Sequence, residues 1–119
     1  MKSKTFIKIR TQFEGVHHWP TAPAEVAHLQ SPHRHTFYIT LQIEVYHNDR
    51  ELEFFMVKDF VDYKVVRGLV KEELGRTSCE DLNDHFYEAL RQKYGDNRIY
   101  IIETSEDRER SALSYYNTE

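Results

Sequence analysis

The sequence predicts an α+β fold, a four-stranded antiparallel sheet with two helices packed on one of its faces. Three observations carry this expectation. Apolar and polar residues alternate with a period of two over residues 4–13, 35–47 and 98–104, as half-buried strands do. After Asp59 the apolar spacing changes to threes and fours, as helices require. No linker rich in glycine, serine or proline and no internal repeat interrupts the 119 residues, so one domain spanning 1–119 is expected.

In KTFIKIRTQF the odd positions Ile7, Ile9 and Phe13 carry the apolar weight and predict the first strand. All three prolines fall between Trp19 and Pro32, a segment that reads as a loop. From His35 to His47 the alternation is clean. Phe37, Ile39, Leu41, Ile43 and Val45 share one face, and Tyr38, Thr40, Gln42, Glu44 and Tyr46 share the other. HNDRE at 47–51 is turn chemistry, and LEFFMV at 52–57 is expected to return as an antiparallel partner. Phe60, Tyr63, Val66 and Val70 then mark a helix, with Asp59 as its N-cap and Gly75 as its C-terminal stop. A second helix opens at Ser78, where Asp81 three residues on approximates a capping box. Leu82, Phe86 and Leu90 form its apolar stripe and Gly95 ends it. RIYIIET at 98–104 supplies the last strand, followed by a polar tail closing on LSYYNTE. The expected order is strand, strand, strand, helix, helix, strand.

Bulk properties narrow the function. The net charge is −4 with acids and bases interspersed, which speaks against nucleic acid or an anionic membrane as partner, because both call for a clustered basic face. No stretch approaches the roughly 20 apolar residues that span a bilayer. The N-terminal MKSKTFIKIRT sets charges among its apolar residues, unlike a signal peptide, and a single cysteine, Cys79, allows no internal disulfide; both fit a cytoplasmic protein. Eight tyrosines and seven phenylalanines are many for so small a domain to bury, so association between copies is expected.

The chemistry-bearing feature is SPHRHTFYITLQIEV at 31–45, with two histidines one residue apart at the mouth of the long strand. Side chains at i and i+2 on a strand point the same way, about 7 Å apart along the chain. His33 and His35 share parity with Phe37 and Ile39, so they stand at the end of the buried face and are able to converge on one zinc ion, which imidazole nitrogens hold at about 2.0–2.1 Å. A catalytic zinc needs a third protein ligand. His17, which shares parity with Phe13, is preferred over its neighbour His18. The spacing alone reads equally well as a polar strand end.

Together these residues resemble a known family, the 6-pyruvoyltetrahydropterin synthase and 6-carboxytetrahydropterin synthase group, which adopts the tunnelling fold, or T-fold. FEGVHHW at 13–19 is similar to the family's F-x-A-x-H-x-L, which puts His17 on the first zinc ligand. PHRHTFYITLQI is similar to H-G-H-x-Y, with His33 and His35 as the other ligands and Arg34 in place of glycine. MVKDF at 56–60 resembles the G-M-V-x-D-F that opens the first helix, TSCED at 77–81 the P-T-x-E-N that opens the second, and IIET at 101–104 the closing K-E-T. Glu80 and Glu103 lie 23 residues apart, close to the family spacing. The resemblance implies a zinc-bearing subunit whose copies join sheets into a barrel, commonly a hexamer of two stacked trimers with sites between subunits. It also implies that Glu103 anchors a pterin ring through two parallel, charge-assisted hydrogen bonds, a contact selective for pterins and purine-like rings. Thr104, Ser78 and Glu80 are further candidates for that pocket.

The pattern breaks at the proton-transfer groups. Synthases of the family use a cysteine shortly before H-x-H and an Asp-His dyad between the helices. Here no cysteine lies between His17 and His33, and Cys79 falls in the second helix, where it reads as a packing residue. LNDHF at 82–86 lies inside that helix, so Asp84 and His85 read as solvated. Glu25 and His28 are the nearest alternative bases, both on the loop. Each proton-transfer group is worth about 10²- to 10⁴-fold in rate. The expectation is therefore a zinc-dependent lyase with altered chemistry, of the pterin or deazapurine (queuosine) pathways, or else a catalytically inactive binder of the same ligands.

Overall fold

A computed structural model describes residues 3–71 and 73–117. Strands β1 (Thr5–His17), β2 (His33–Val45), β3 (Tyr100–Glu106) and β4 (Arg110–Tyr116) form one antiparallel sheet in the order β1-β2-β3-β4. Between β2 and β3 run α1 (Phe54–Phe60), a π-helical segment (Val61–Val66) and α2 (Arg67–Val70), then α3 (Cys79–Tyr94). The loop between β1 and β2 contains a 3-10 segment, Ala24–Gln30, interrupted at Val26. Among the described residues, no helix is long and apolar enough to cross a membrane.

The period of two places Ile9, Phe13, Phe37, Ile39, Leu41, Ile43, Tyr100 and Ile102 on one face, and these meet Val57, Val61 and Val65 from the first helical run and Leu82, Phe86 and Leu90 from α3. The α3 N-terminus carries the expected capping box. Ser78 Oγ accepts from Asp81 N at 3.0 Å and the Asp81 carboxylate accepts from Ser78 N at 3.3 Å. Asn83, one turn in, is fully buried and ties the helix to the sheet: Nδ2 donates to Ala112 O and Ser114 Oγ, and Oδ1 accepts from Thr104 Oγ1.

Several expectations are corrected. LEFFMV is not a strand, because the Glu53 carboxylate accepts from Phe55 N and Met56 N and caps a helix that starts at Phe54; this cap stands six residues ahead of the expected Asp59. The fourth strand is instead Arg110–Tyr116, in the polar tail, where Ala112, Ser114 and Tyr116 face the helices. The buried stripe of the first helical run is Val57, Val61 and Val65, with Tyr63 58% and Val70 50% exposed. Within it Arg67 N donates to Asp62 O, five residues back, and this wider turn keeps Val61 and Val65 on one side. The run stops at Val70 rather than at Gly75, which sits at φ +58° in the following turn and accepts from His18 N through its carbonyl at 2.8 Å. The order is therefore two strands, helices, two strands.

Gly15 shows how tightly that turn seats on β1. A Cβ there would stand 2.7 Å from Leu74 Cδ1 and 3.1 Å from Phe37 Cε2, and both side chains are buried. Gly15→Ala is expected to lower stability by about 1–2 kcal/mol through overpacking, read as a lower denaturant midpoint at unchanged slope.

Candidate metal centre

The β1–β2 register decides which histidines meet. His17 lies directly opposite His33, and His35 lies opposite Gly15, two pairs further along and so on the same face. Their ring centroids are 4.6 Å (His17–His33), 4.9 Å (His33–His35) and 5.2 Å (His17–His35) apart, and one nitrogen from each falls within 4.8 Å of the others. Sequence parity thus brings together the three residues it singled out.

Each ring is oriented through Nδ1. That of His17 faces Thr77 O at 2.8 Å, that of His33 faces Ser31 O at 2.9 Å, and that of His35 faces Asp107 Oδ2 at 2.7 Å. Carbonyl and carboxylate oxygens only accept, so Nδ1 carries the proton and the lone pair is left on Nε2. The Nε2 atoms of His17 and His35 are buried and have no hydrogen-bond partner among the described residues. A buried imidazole nitrogen without a partner is costly in an ordinary core, and a carbonyl or carboxylate behind a histidine is the usual support of a metal ligand. These residues fit a divalent cation. Burial lowers the His17 pKa, only partly opposed by the Thr77 carbonyl and Glu106, and so favours the neutral imidazole that binds metal. Asp107 is held below the ordinary carboxylate range by the hydrogen bond from His35 first and by Thr36 N second.

A second carboxylate, besides Asp107, adjoins the triad. Glu106 Oε2 stands 3.0 Å from His35 Nε2 without the alignment of a hydrogen bond, and its Oε1 stands 4.0 Å from His17 Nε2. Cys79 Sγ donates to Glu106 Oε1 at 3.6 Å. Burial and Glu106 push the Cys79 thiol up to about 12, so it is a neutral donor and not a ready nucleophile or base. A recess of about 420 Å³ opens beside the cluster, lined by His17, His33, Trp19, Cys79, Glu80 and Glu106.

The remaining candidates are distributed unevenly. Glu80 and Ser78 both border this recess, although the Ser78 hydroxyl is engaged as the helix cap. Thr104 is fully buried against Asn83 and does not reach the recess. Glu103 lies on the opposite face of the sheet, accepting from Ser111 Oγ at 2.8 Å and bordering a shallow concavity of about 550 Å³ with Arg10, Tyr38 and Lys58. Within one chain, then, the histidines and Glu103 face different sides. Asp84 and His85 are exposed on α3, Asp84 accepting from Tyr116 OH, and Glu25 and His28 are exposed on the loop away from the recess.

Glu106 and Asp107 escaped the sequence reading. Glu106 continues the parity of Ile102 and Thr104 and was there to be found by carrying the last strand two residues further. The carbonyls of Thr77 and Ser31 are backbone groups with no side-chain signal. No protein-family model matches this chain and no curated protein matches it.

Proposed function

We propose that the chain is a zinc-binding T-fold subunit, similar to the 6-pyruvoyl- and 6-carboxytetrahydropterin synthases, that takes a pterin or purine-like ligand and acts on it as a lyase with altered chemistry. One observation carries the reading: three histidines held through Nδ1, two with a buried, unpartnered Nε2, stand at the side of a recess large enough for a small heterocycle. Two strands, helices on one face, then two strands is an order compatible with that fold.

His17, His33 and His35 would hold the ion, and zinc so held supplies Lewis acidity. The chain's own groups do the rest. Thr77 O, Ser31 O and Asp107 fix the three rings, while Trp19 and Leu29 give the recess an apolar wall against which a flat ring excludes water. Glu103 supports the ring-anchoring role only across an interface, because it faces away from the histidines of its own chain. The sheet leaves both β1 and β4 as open edges, which suits copies joining sheet to sheet into a barrel such as the hexamer of the similar family. The neutral, buried Cys79 and the exposed Asp84 and His85 favour a second reading, in which the same oligomer binds its ligand without turnover.

Zinc-loaded protein incubated with dihydroneopterin triphosphate separates the two, since loss of the pterin side chain marks an enzyme and saturable binding without it marks a binder. Absence of both would remove the pterin reading. Glu103→Gln is expected to weaken pterin binding about 10- to 100-fold, the worth of one charge-assisted contact, while zinc content stays at the wild-type level. Calorimetric titration of both proteins provides the comparison, and equal affinities would dismiss the anchor.

A further inference from the structure

We infer that Glu106 is a fourth protein ligand to the ion, giving a three-histidine, one-carboxylate centre. This rests on the metal-centre reading and adds to it a ligand from a different strand.

The distances argue first. Ligand atoms of a tetrahedral zinc with bonds of about 2.0–2.1 Å sit about 3.3 Å apart. Glu106 Oε2 lies 3.0 Å from His35 Nε2, close to that separation, while the nearest approach of the carboxylate to His17 Nε2 is 4.0 Å, through Oε1. Placement argues second. Glu106 is fixed by the sheet, paired with Phe37 on β2 and with Arg110 on β4, two residues along β2 from His35. Its side chain is 22% exposed, and the Cys79 thiol holds Oε1, leaving Oε2 toward His35. The contact with His35 is not a satisfied hydrogen bond either, since His35 Nε2 remains unpartnered at 3.0 Å. Two polar atoms that face each other at this distance with no hydrogen bond between them form an arrangement that a cation would resolve.

Charge argues third. Three neutral imidazoles leave a divalent ion with its full charge in a partly buried site, and one carboxylate halves it. Cys79 then acts as a positioning residue, a neutral donor that turns the carboxylate without competing for the ion. A ligand entering the recess would meet a closed coordination shell and bind by displacing Glu106 or by raising the coordination number to five.

The test uses the full chain, stripped of metal by a chelator and then titrated with Co²⁺ and, in competition with a chromophoric chelator, with Zn²⁺. Wild-type protein is expected to give the intense visible bands of four-coordinate cobalt. Glu106→Gln is expected to bind zinc at least about tenfold more weakly and to give an altered cobalt spectrum, with far-ultraviolet circular dichroism confirming the fold. Glu106→Asp retracts the carboxylate by one methylene and is expected to weaken binding in the same direction, which keeps the question open to test where the glutamine variant does not fold. Wild-type affinity and an unchanged spectrum in the folded variants would overturn the assignment of Glu106 alone. A wild-type protein that binds neither ion would overturn the metal centre itself.

Discussion

Replacing His35 with alanine is expected to abolish tight zinc binding, from one equivalent per chain in the wild type to none after dialysis against metal-free buffer. His35 is the best placed of the three for this test. It is the only one whose Nδ1 partner is a carboxylate, Asp107, and its Nε2 is both buried and unpartnered. A negative partner behind the ring raises the basicity of the metal-binding nitrogen, so the loss exceeds that of an unsupported ligand. Loss of the His35 imidazole would leave two histidines and Glu106 around the ion, with the ring nearest to that carboxylate gone, a set expected to release zinc on dialysis. Stability gives an independent readout. An ion that binds only the folded chain adds about 2.7 kcal/mol when its free concentration is a hundredfold above Kd, a rise in unfolding midpoint of several degrees for a domain of this size. The wild type is expected to show that rise with added zinc and His35→Ala to show none. Equal metal content in the two proteins would remove His35 from the site.

The site was legible because a strand has only two faces. Parity linked His17 to Phe13 and His33 and His35 to Phe37, and the antiparallel register then laid the two histidine-bearing ends side by side. The second helix was legible for a similarly local reason, since Ser78, Asp81 and Gly95 mark its ends through their own hydrogen bonds and backbone angles. Elsewhere a local pattern admitted two outcomes. Phe54, Phe55 and Met56 are apolar and bulky enough for a strand, yet all three are exposed on a helix, because the Glu53 carboxylate caps that turn and Val57 alone of the group is buried. In β4 the inward positions are Ala112, Ser114 and Tyr116, a face too small and polar to announce itself, and its reason for being a strand lies 30 residues away in Asn83. Glu106 and Asp107 belong to the same blind spot. Their roles depend on the hairpin between β3 and β4, where Asp107 and Arg108 take positive φ angles that put the Asp107 carboxylate beside His35.

Asn83→Asp is expected to be among the most destabilising single changes in the chain at neutral pH, on the order of 4 kcal/mol, and to become much milder in acid. The side chain has no exposure and uses its amide fully. Nδ2 donates to Ala112 O at 3.1 Å and to Ser114 Oγ at 3.0 Å, and Oδ1 accepts from Thr104 Oγ1 at 2.7 Å. A carboxylate of the same size keeps the bond from Thr104, because it still accepts. It cannot donate, so the Ala112 carbonyl is left facing a negative oxygen, and its hydrogen-bond partners among the described residues include no cation. Burial and the carbonyl both disfavour the charged form and raise the folded-state pKa above that of the unfolded chain. The sign follows from that inequality: the full stability is present below the unfolded carboxyl pKa, and it is lost progressively as pH rises toward and through the folded value. Denaturant midpoints of wild type and variant are therefore expected to converge near pH 3 and to separate steadily toward pH 7. A constant gap across that range would mean that the cost comes from lost packing, and that Asn83 does not serve as the polar tie between α3 and the last two strands.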